Sequence, residues 1–231
     1  MKILLIPLFF SSFALSDTYI KNSVITNSII GNNFVSSEKE AFSLASKNIT
    51  LNKSFTKLSI NLAGNIRIEK SNSPHIKLTS DKKILDKFSF KVLDDTLYLD
   101  TTASINTKAP INIVVYTSSF KELSVQGTAR LDITGFDLHR LNILSSGTSR
   151  VTFVSGSIEN FSLNSRGTSK VNLKDIYVKN AVITAKGTSK TEININGNLS
   201  VDLSGISKVK YWGNPNIQKR TKNLAKLIKM K

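Results

Sequence analysis

The amino-acid sequence predicts an all-β fold: a solenoid with rungs of about 20 residues, preceded by irregular antiparallel or solenoid strands. Three observations carry this. A Gly-Thr-Ser-Lys-like tetrapeptide recurs through the C-terminal half. Apolar residues upstream of it alternate with period two. The chain has no cysteine, which suits an architecture closed by backbone pairing between neighbouring rungs rather than by disulfides.

The elements follow in chain order. Met1-Lys2, an apolar run from Ile3 to Phe13, and the small residues of Ala14-Leu15-Ser16 ahead of Asp17 read as a secretory signal peptide over residues 1–16. No cysteine follows for lipid attachment, and no later stretch reaches the ~20 apolar residues of a membrane-spanning helix. Residues 17–47 are rich in Ser and Asn without a clear period, and predict a loosely attached or disordered polar leader.

From residue 48 a single solenoid domain is expected, running to residue 216. Leu58, Ile60 and Leu62 alternate, then Ile66 and Ile68, Ile76 and Leu78, Phe88 and Phe90, Leu97 and Leu99, Ile113 and Val115. Such runs are strands with one buried face. Asp94-Asp95 between Val92 and Leu97 predicts a hairpin turn. Asp81 to Lys87 is a weak, short helix candidate.

The repeat itself occupies residues 119–213. Gly127-Thr128-Ala129-Arg130 returns as Gly147-Thr148-Ser149-Arg150, Gly167-Thr168-Ser169-Lys170, Gly187-Thr188-Ser189-Lys190 and Gly205-Ile206-Ser207-Lys208, at spacings of 20, 20, 20 and 18. Leu123, Ile143, Leu163, Ile183 and Val201 precede each Gly by four residues. Leu131, Val151, Val171, Thr191 and Val209 follow it by four, and Ile133, Phe153, Leu173, Ile193 and Tyr211 by six. Each rung therefore reads as a strand, a Gly corner and a second strand, with aligned apolar positions forming inward ladders. Ala129, Ser149, Ser169, Ser189 and Ser207 turn inward at the corner. Gly127, Gly147, Gly167, Gly187 and Gly205 are the expected structural corners, where a Cβ would clash or φ is positive. The cluster Tyr211-Trp212-Gly213-Asn214-Pro215 is expected to close the stack. Residues 217–231 form a basic tail in which Leu224, Leu227 and Ile228 have roughly helical spacing. Fraying is the favoured reading there, with a short amphipathic helix on a membrane surface as the alternative.

These residues carry a resemblance. The Gly-Thr-Ser-Lys corners, the ending Gly205 to Pro215, and the entry segments Phe55 to Ile60, Ile66-Arg67-Ile68 and Leu93 to Leu99 resemble the putative auto-transporter adhesin, head GIN domain family. The resemblance covers about residues 48 to 216. It implies a right-handed parallel β-helix-like fold in an exported bacterial protein, and carries no catalytic residue to transfer. The sequence departs from an autotransporter in ending Lys229-Met230-Lys231 without a series of amphipathic ~10-residue strands, so self-translocation by a C-terminal barrel is not expected.

Composition and spacing then bound the chemistry. The chain carries 32 basic against 16 acidic residues, a formal charge of +16, which favours polyanionic partners or simply a soluble surface. For an exported protein those partners are envelope or extracellular anions rather than intracellular nucleic acid. His75 and His139 have no partners at ligand spacing, so both are expected as surface residues, with neither a metal site nor a cofactor. No Gly-x-Ser-x-Gly elbow occurs. Asp132 and Glu192 occupy equivalent outward positions three rungs, or ~14 Å, apart, beyond the ~5 to 9.5 Å used by paired glycosidase carboxylates.

Arg130, Arg150, Lys170, Lys190 and Lys208 hold one outward place in five successive rungs and form a candidate anion-binding ladder. Steps of ~5 Å between like charges cost ~0.8 kcal/mol each in water, a cost that an anionic ligand would remove and that nearby Asp132 and Glu192 would partly offset. Against this stands a ladder that serves only solubility and protection against edge pairing. The function expected is that of a non-enzymatic, exported cell-envelope protein, an adhesin-like scaffold or interaction protein. The alternative is a binding module for acidic glycan or lipopolysaccharide through the ladder; a polysaccharide-degrading enzyme is the least favoured reading. The location is the periplasm, the outer-membrane surface or the exterior.

Overall fold

The computed structural model describes residues 42–231. The expected signal peptide and residues 17–41 of the expected leader lie outside them. The protein is a stack of parallel coils spaced about 20 residues apart in sequence, the β-solenoid that the repeat predicts.

Period-two alternation becomes burial at once. In β2 (Lys57–Asn61) and β3 (Gly64–Lys70), Leu58, Ile60, Ile66 and Ile68 are buried, while their neighbours in the strands reach the surface. β4 (His75–Asp81) turns back antiparallel on β7 (Asn112–Thr117) and carries β1 (Leu44–Thr50) on its other edge. Leu44–Lys47, expected in the loose leader, are therefore strand, paired to Asp81–Leu78. The helix candidate is a single 3-10 segment, Lys82–Lys87, capped by Asp81, whose carboxylate accepts the Lys83 backbone N–H at 3.0 Å. β5 (Phe88–Leu93) and β6 (Thr96–Thr101) form the expected hairpin. Asp94 and Asp95 take φ of 47° and 63°, as a two-residue turn between right-twisted strands requires.

Rung order does not follow chain order at this end. β2 pairs in parallel with β6 on one side and β8 (Glu122–Gln126) on the other. β3 likewise lies between β7 and β9 (Ala129–Ser145). The β6–β7 coil thus sits outside the β2–β3 coil although it comes later in the sequence. Antiparallel β5, β4 and β1 then flank it. The strands before Ser118 both add irregular rungs and close one end.

Beyond β9 the stack is sequential: β10 (Arg150–Gly167), β11 (Lys170–Gly187), β12 (Lys190–Ile195) and β14 (Lys208–Trp212) on one path, with β13 (Asn198–Leu203) continuing the other. Every inward ladder read from the repeat is buried, from Leu123 through Val201, Leu131 through Val209 and Ile133 through Tyr211. At roughly 1.5–3 kcal/mol per fully buried large aliphatic side chain, these columns are the main favourable term of the fold. A further buried run on the third side, Phe136 and Leu138, then Ile158, then Ile176 and Val178, then Ile195, completes each coil. The shorter spacing of 18 arises on this third side. Seven residues separate Leu173 from Ala181, but only five separate their partners Ile193 and Leu199.

The C-terminal expectations need correction. Tyr211 to Pro215 does not end the stack, and residues 217–231 neither fray nor form a helix. β15 (Asn216–Thr221) pairs in parallel with β13, and β16 (Lys226–Lys229) with β14. Asn223, at φ 61°, holds the corner between them. Spacing that resembled a helix belongs to a further rung, in which Lys219 stands in register with Val201, and Lys229 with Tyr211. With exposed lysines in register with the core columns, period-two hydrophobicity disappears from the sequence while backbone pairing continues.

Candidate functional site

The corner is built by glycine. Gly127, Gly147, Gly167, Gly187 and Gly205 all have positive φ, from 77° to 90°. They also stack closely: a Cβ on Gly147 would lie 2.8 Å from the Gly127 carbonyl oxygen. Backbone hydrogen bonds lock successive corners together, with Thr148 N–H donating to Gly127 O, Thr168 to Gly147 and Thr188 to Gly167. On the inner side Ser145 and Ser149 share a 2.7 Å hydrogen bond, and Ser165 pairs with Ser169. These buried pairs commit the corner hydroxyls to packing and local hydrogen bonding.

The register places the five predicted basic residues in one column: Arg130 opposite Arg150, Arg150 opposite Lys170, Lys170 opposite Lys190, and Lys190 opposite Lys208. Lys226 in β16 adds a sixth member that sequence reasoning missed. Asn65 and Asn112 continue the column at the other end. Six members span five steps, or ~24 Å. Beside this column runs another of outward hydroxyls, Thr128, Thr148, Thr168 and Thr188. Arg130, Arg150, Lys170 and Lys190 line an open groove of about 570 Å³ together with these threonines, Ala129, Ser149 and Ser169. Cationic groups and hydroxyls along a shared groove provide charge and hydrogen-bond donors at a regular repeat.

One carboxylate engages the ladder directly. Lys190 Nζ lies 2.8 Å from Glu192 Oε1. Burial pushes the Glu192 carboxyl up, but the hydrogen bond and charge of Lys190, with the charges of Lys170 and Lys210, outweigh it and hold the group below its ordinary value. Asp132 lies in register with Arg67 and Thr152. Asp132 and Glu192 share a column through Thr152 and Asn172, three rungs apart.

The histidines lie elsewhere. His75 stacks on Tyr116 with ring centroids 4.2 Å apart. His139 Nδ1 is 2.5 Å from Glu159 Oε2, and Lys179 Nζ donates to Glu159 Oε1 at 3.1 Å. Hydrogen bonds from Lys179 and His139 lower the Glu159 carboxyl. Among the described residues no group of three or more His, Cys, Asp or Glu side chains is placed to hold a metal ion.

At another corner, Asn180 Nδ2 donates to Asn160 Oδ1 at 3.3 Å, and Asn198 Nδ2 to Asn180 Oδ1 at 3.1 Å. Asn216 extends this column. Its signal was present in the sequence, as Asn160, Asn180, Asn198 and Asn216 at spacings of 20, 18 and 18. The amides bond to one another or to backbone along the stack, and so serve the corner itself. An adjoining groove of about 500 Å³ has Phe161, Ala181 and Val182 on its wall.

A cysteine-free parallel β-solenoid with polar ladders on its corners and buried apolar columns is a repeat-built scaffold. The chain belongs to the family described as "Putative auto-transporter adhesin, head GIN domain", whose model matches residues 54–215. An adhesin domain belongs to exported or surface proteins. Among solved structures the chain is similar to a putative adhesin from Bacteroides fragilis, with 17% identity, TM-score 0.60, and coverage of 80% of this chain and 94% of that one. It is similar to a putative adhesin from Parabacteroides merdae at 14% identity and TM-score 0.51, covering 81% of this chain and 96% of that one. A third, described as a putative lipid binding protein from Parabacteroides distasonis, has 18% identity and TM-score 0.52, with coverage of 81% and 97%. At these identities the likeness is one of fold. No curated protein matches the sequence.

Proposed function

We propose that this protein is an exported, non-enzymatic, adhesin-like scaffold whose basic corner engages a linear anionic polymer of the cell envelope, such as an acidic glycan or the phosphate-bearing part of lipopolysaccharide. The in-register column Arg130, Arg150, Lys170, Lys190, Lys208 and Lys226, flanked on its first four rungs by threonine hydroxyls, carries this reading. An extended polymer with charges along its length meets a cation on every rung. Stacking those cations is unfavourable without a counter-charge, and among the described residues Glu192 alone forms an ion pair with a member of the column.

The separation of Asp132 from Glu192 favours binding over hydrolysis. Asp132 and Glu192 are kept three rungs apart by the register, and Glu192 is committed to Lys190. A screen against acidic polysaccharides is expected to show retention without cleavage. Binding to immobilised heparin, as a model sulfated polymer, and to lipopolysaccharide tests the proposal. The combined change Arg150→Gln, Lys170→Gln and Lys190→Gln is expected to weaken both interactions strongly; unchanged binding would remove the ladder as the site. Comparison of adhesion between wild-type and deletion strains tests the cellular role.

A further inference from the structure

The C-terminal end of the solenoid differs chemically from the rest. Residues 208–231 contain eight basic residues (Lys208, Lys210, Lys219, Arg220, Lys222, Lys226, Lys229 and Lys231) and no acidic one. All six residues of β15 are exposed. Over the same two rungs the threonine column changes character. Ile206 donates its N–H to Gly187 O, as Thr188 does to Gly167, and Leu224 donates to Gly205. Ile206 and Leu224 thus succeed Thr128, Thr148, Thr168 and Thr188 in one column. Their side chains stand 60% and 68% exposed. Ile217, 39% exposed, opens β15.

Two large aliphatic side chains projecting from a wholly cationic end do not suit a purely hydrophilic polymer, which has no use for them. Nor do they suit a second copy stacked end to end. Lys219 and Lys229 take the places of Val201 and Tyr211 on the rung that a copy would have to cover, and eight like charges oppose it. The combination fits a surface that is anionic outside and apolar just beneath.

We propose that this tip docks on an anionic lipid bilayer. Arg220, Lys222 and Lys226 face the headgroups, and Ile206 and Leu224 enter the boundary between headgroups and acyl chains. The site is separate from the ladder's central members, so the proposal stands without the polymer-binding reading.

The test is flotation of the full chain with unilamellar vesicles of 30% phosphatidylglycerol in phosphatidylcholine, against vesicles of phosphatidylcholine alone. Binding to the anionic vesicles is expected, with little to the neutral ones, and a decrease on raising salt. The change Arg220→Gln, Lys222→Gln and Lys226→Gln should lower partitioning by about 100-fold, since each basic residue near such a surface contributes roughly a factor of five. Ile206→Ser with Leu224→Ser should lower it by at least about tenfold. All five side chains are surface residues, and circular dichroism on each variant confirms that the coil is retained. The change at Arg150, Lys170 and Lys190 should leave vesicle binding largely intact. The proposal is overturned if anionic vesicles are not bound, if the tip changes have no effect, or if the ladder change abolishes binding. It is also overturned if the aliphatic pair can be replaced without loss, because the tip is then a site for soluble polyanions.

Discussion

Lys190 and Glu192, two residues apart on β12, form a 2.8 Å ion pair in the middle of the basic corner. The pair ties up one ladder cation and places a negative charge beside the groove. Glu192→Gln is expected to increase affinity for heparin by about two- to fivefold, the range of a partly exposed ion pair. Isothermal titration at constant salt measures it, and a decrease would show that Glu192 instead organises the site.

The same pair gives a pH dependence. The folded Glu192 carboxyl titrates below its ordinary value because Lys190 and its neighbours overcome the effect of burial. Its contribution to stability is present above the unfolded-state value and is lost as pH falls through the folded one. Protonation also frees Lys190. Affinity for a sulfated polymer, which stays charged in acid, is therefore expected to rise below the ordinary glutamate range. Glu192→Gln should remove the component of that rise due to Glu192. A wild-type titration that is flat across this range would argue against the coupling.

Corner glycines make a separate prediction about stability. Gly147→Ala puts a Cβ 2.8 Å from the Gly127 carbonyl oxygen at φ 86°, and is expected to cost about 1–3 kcal/mol. Gly147→Asn should cost less from backbone conformation, because Asn tolerates the left-handed region and Asn223 holds a corner at φ 61°. Urea denaturation midpoints compare the two; equal losses would mean that the close approach outweighs the dihedral.

Inside the corner, Ser189 Oγ is buried with no hydrogen-bond partner. In the two preceding rungs the equivalent hydroxyl is met by Ser145 or Ser165; here Ala185 takes that position. Ala185→Ser should restore the pair and add about 0.5–1.5 kcal/mol. Ser149→Ala should do the reverse, leaving Ser145 unmatched at a cost of about 1–3 kcal/mol. Chemical denaturation again reads both. A loss with Ala185→Ser would mean the corner has no room for the second hydroxyl.

Lysines in register with the core columns on the last rung should govern self-association. Lys219→Val with Lys229→Ile continues the apolar ladders of Val201 and Tyr211 to an exposed end. Charge is a known guard on open β edges, so the double variant is expected to form end-to-end oligomers that the parent does not. Light scattering after size exclusion decides this.

These residues also show what could be read in advance. The central coils were legible because each rung imposes the same demands on the same column: glycine at the corner, a small residue beside it, aliphatics facing in. The final rung was not, because Lys219, Thr221 and Lys229 stand in register with the core columns and Asn223 replaces glycine, leaving Leu224, Leu227 and Ile228 to imitate a helix. The asparagine column was visible as a spacing but lay among residues usually assigned to turns. The placement of β6–β7 outside β2–β3 had no signal in alternation, which identifies a buried face without naming the neighbour across the backbone. The ladder's register could be derived from the repeat, whereas the ion pair within it depends on side-chain geometry.

The out-of-order coil at the N-terminal end makes the molecule mechanically asymmetric. Lys57 pairs with Thr96 and with Glu122, so β2 cannot complete its sheet until the chain has looped away and returned twice. From β10 onward each turn needs only the one before it. Pulled from its C-terminus, the solenoid should therefore unwind in short, even increments and then stall at the first three coils, whose strands pair out of chain order. Emerging from a ribosome or a translocation channel N-terminus first, it must assemble the slowest and most non-local part of itself before the rest can be laid down by simple winding.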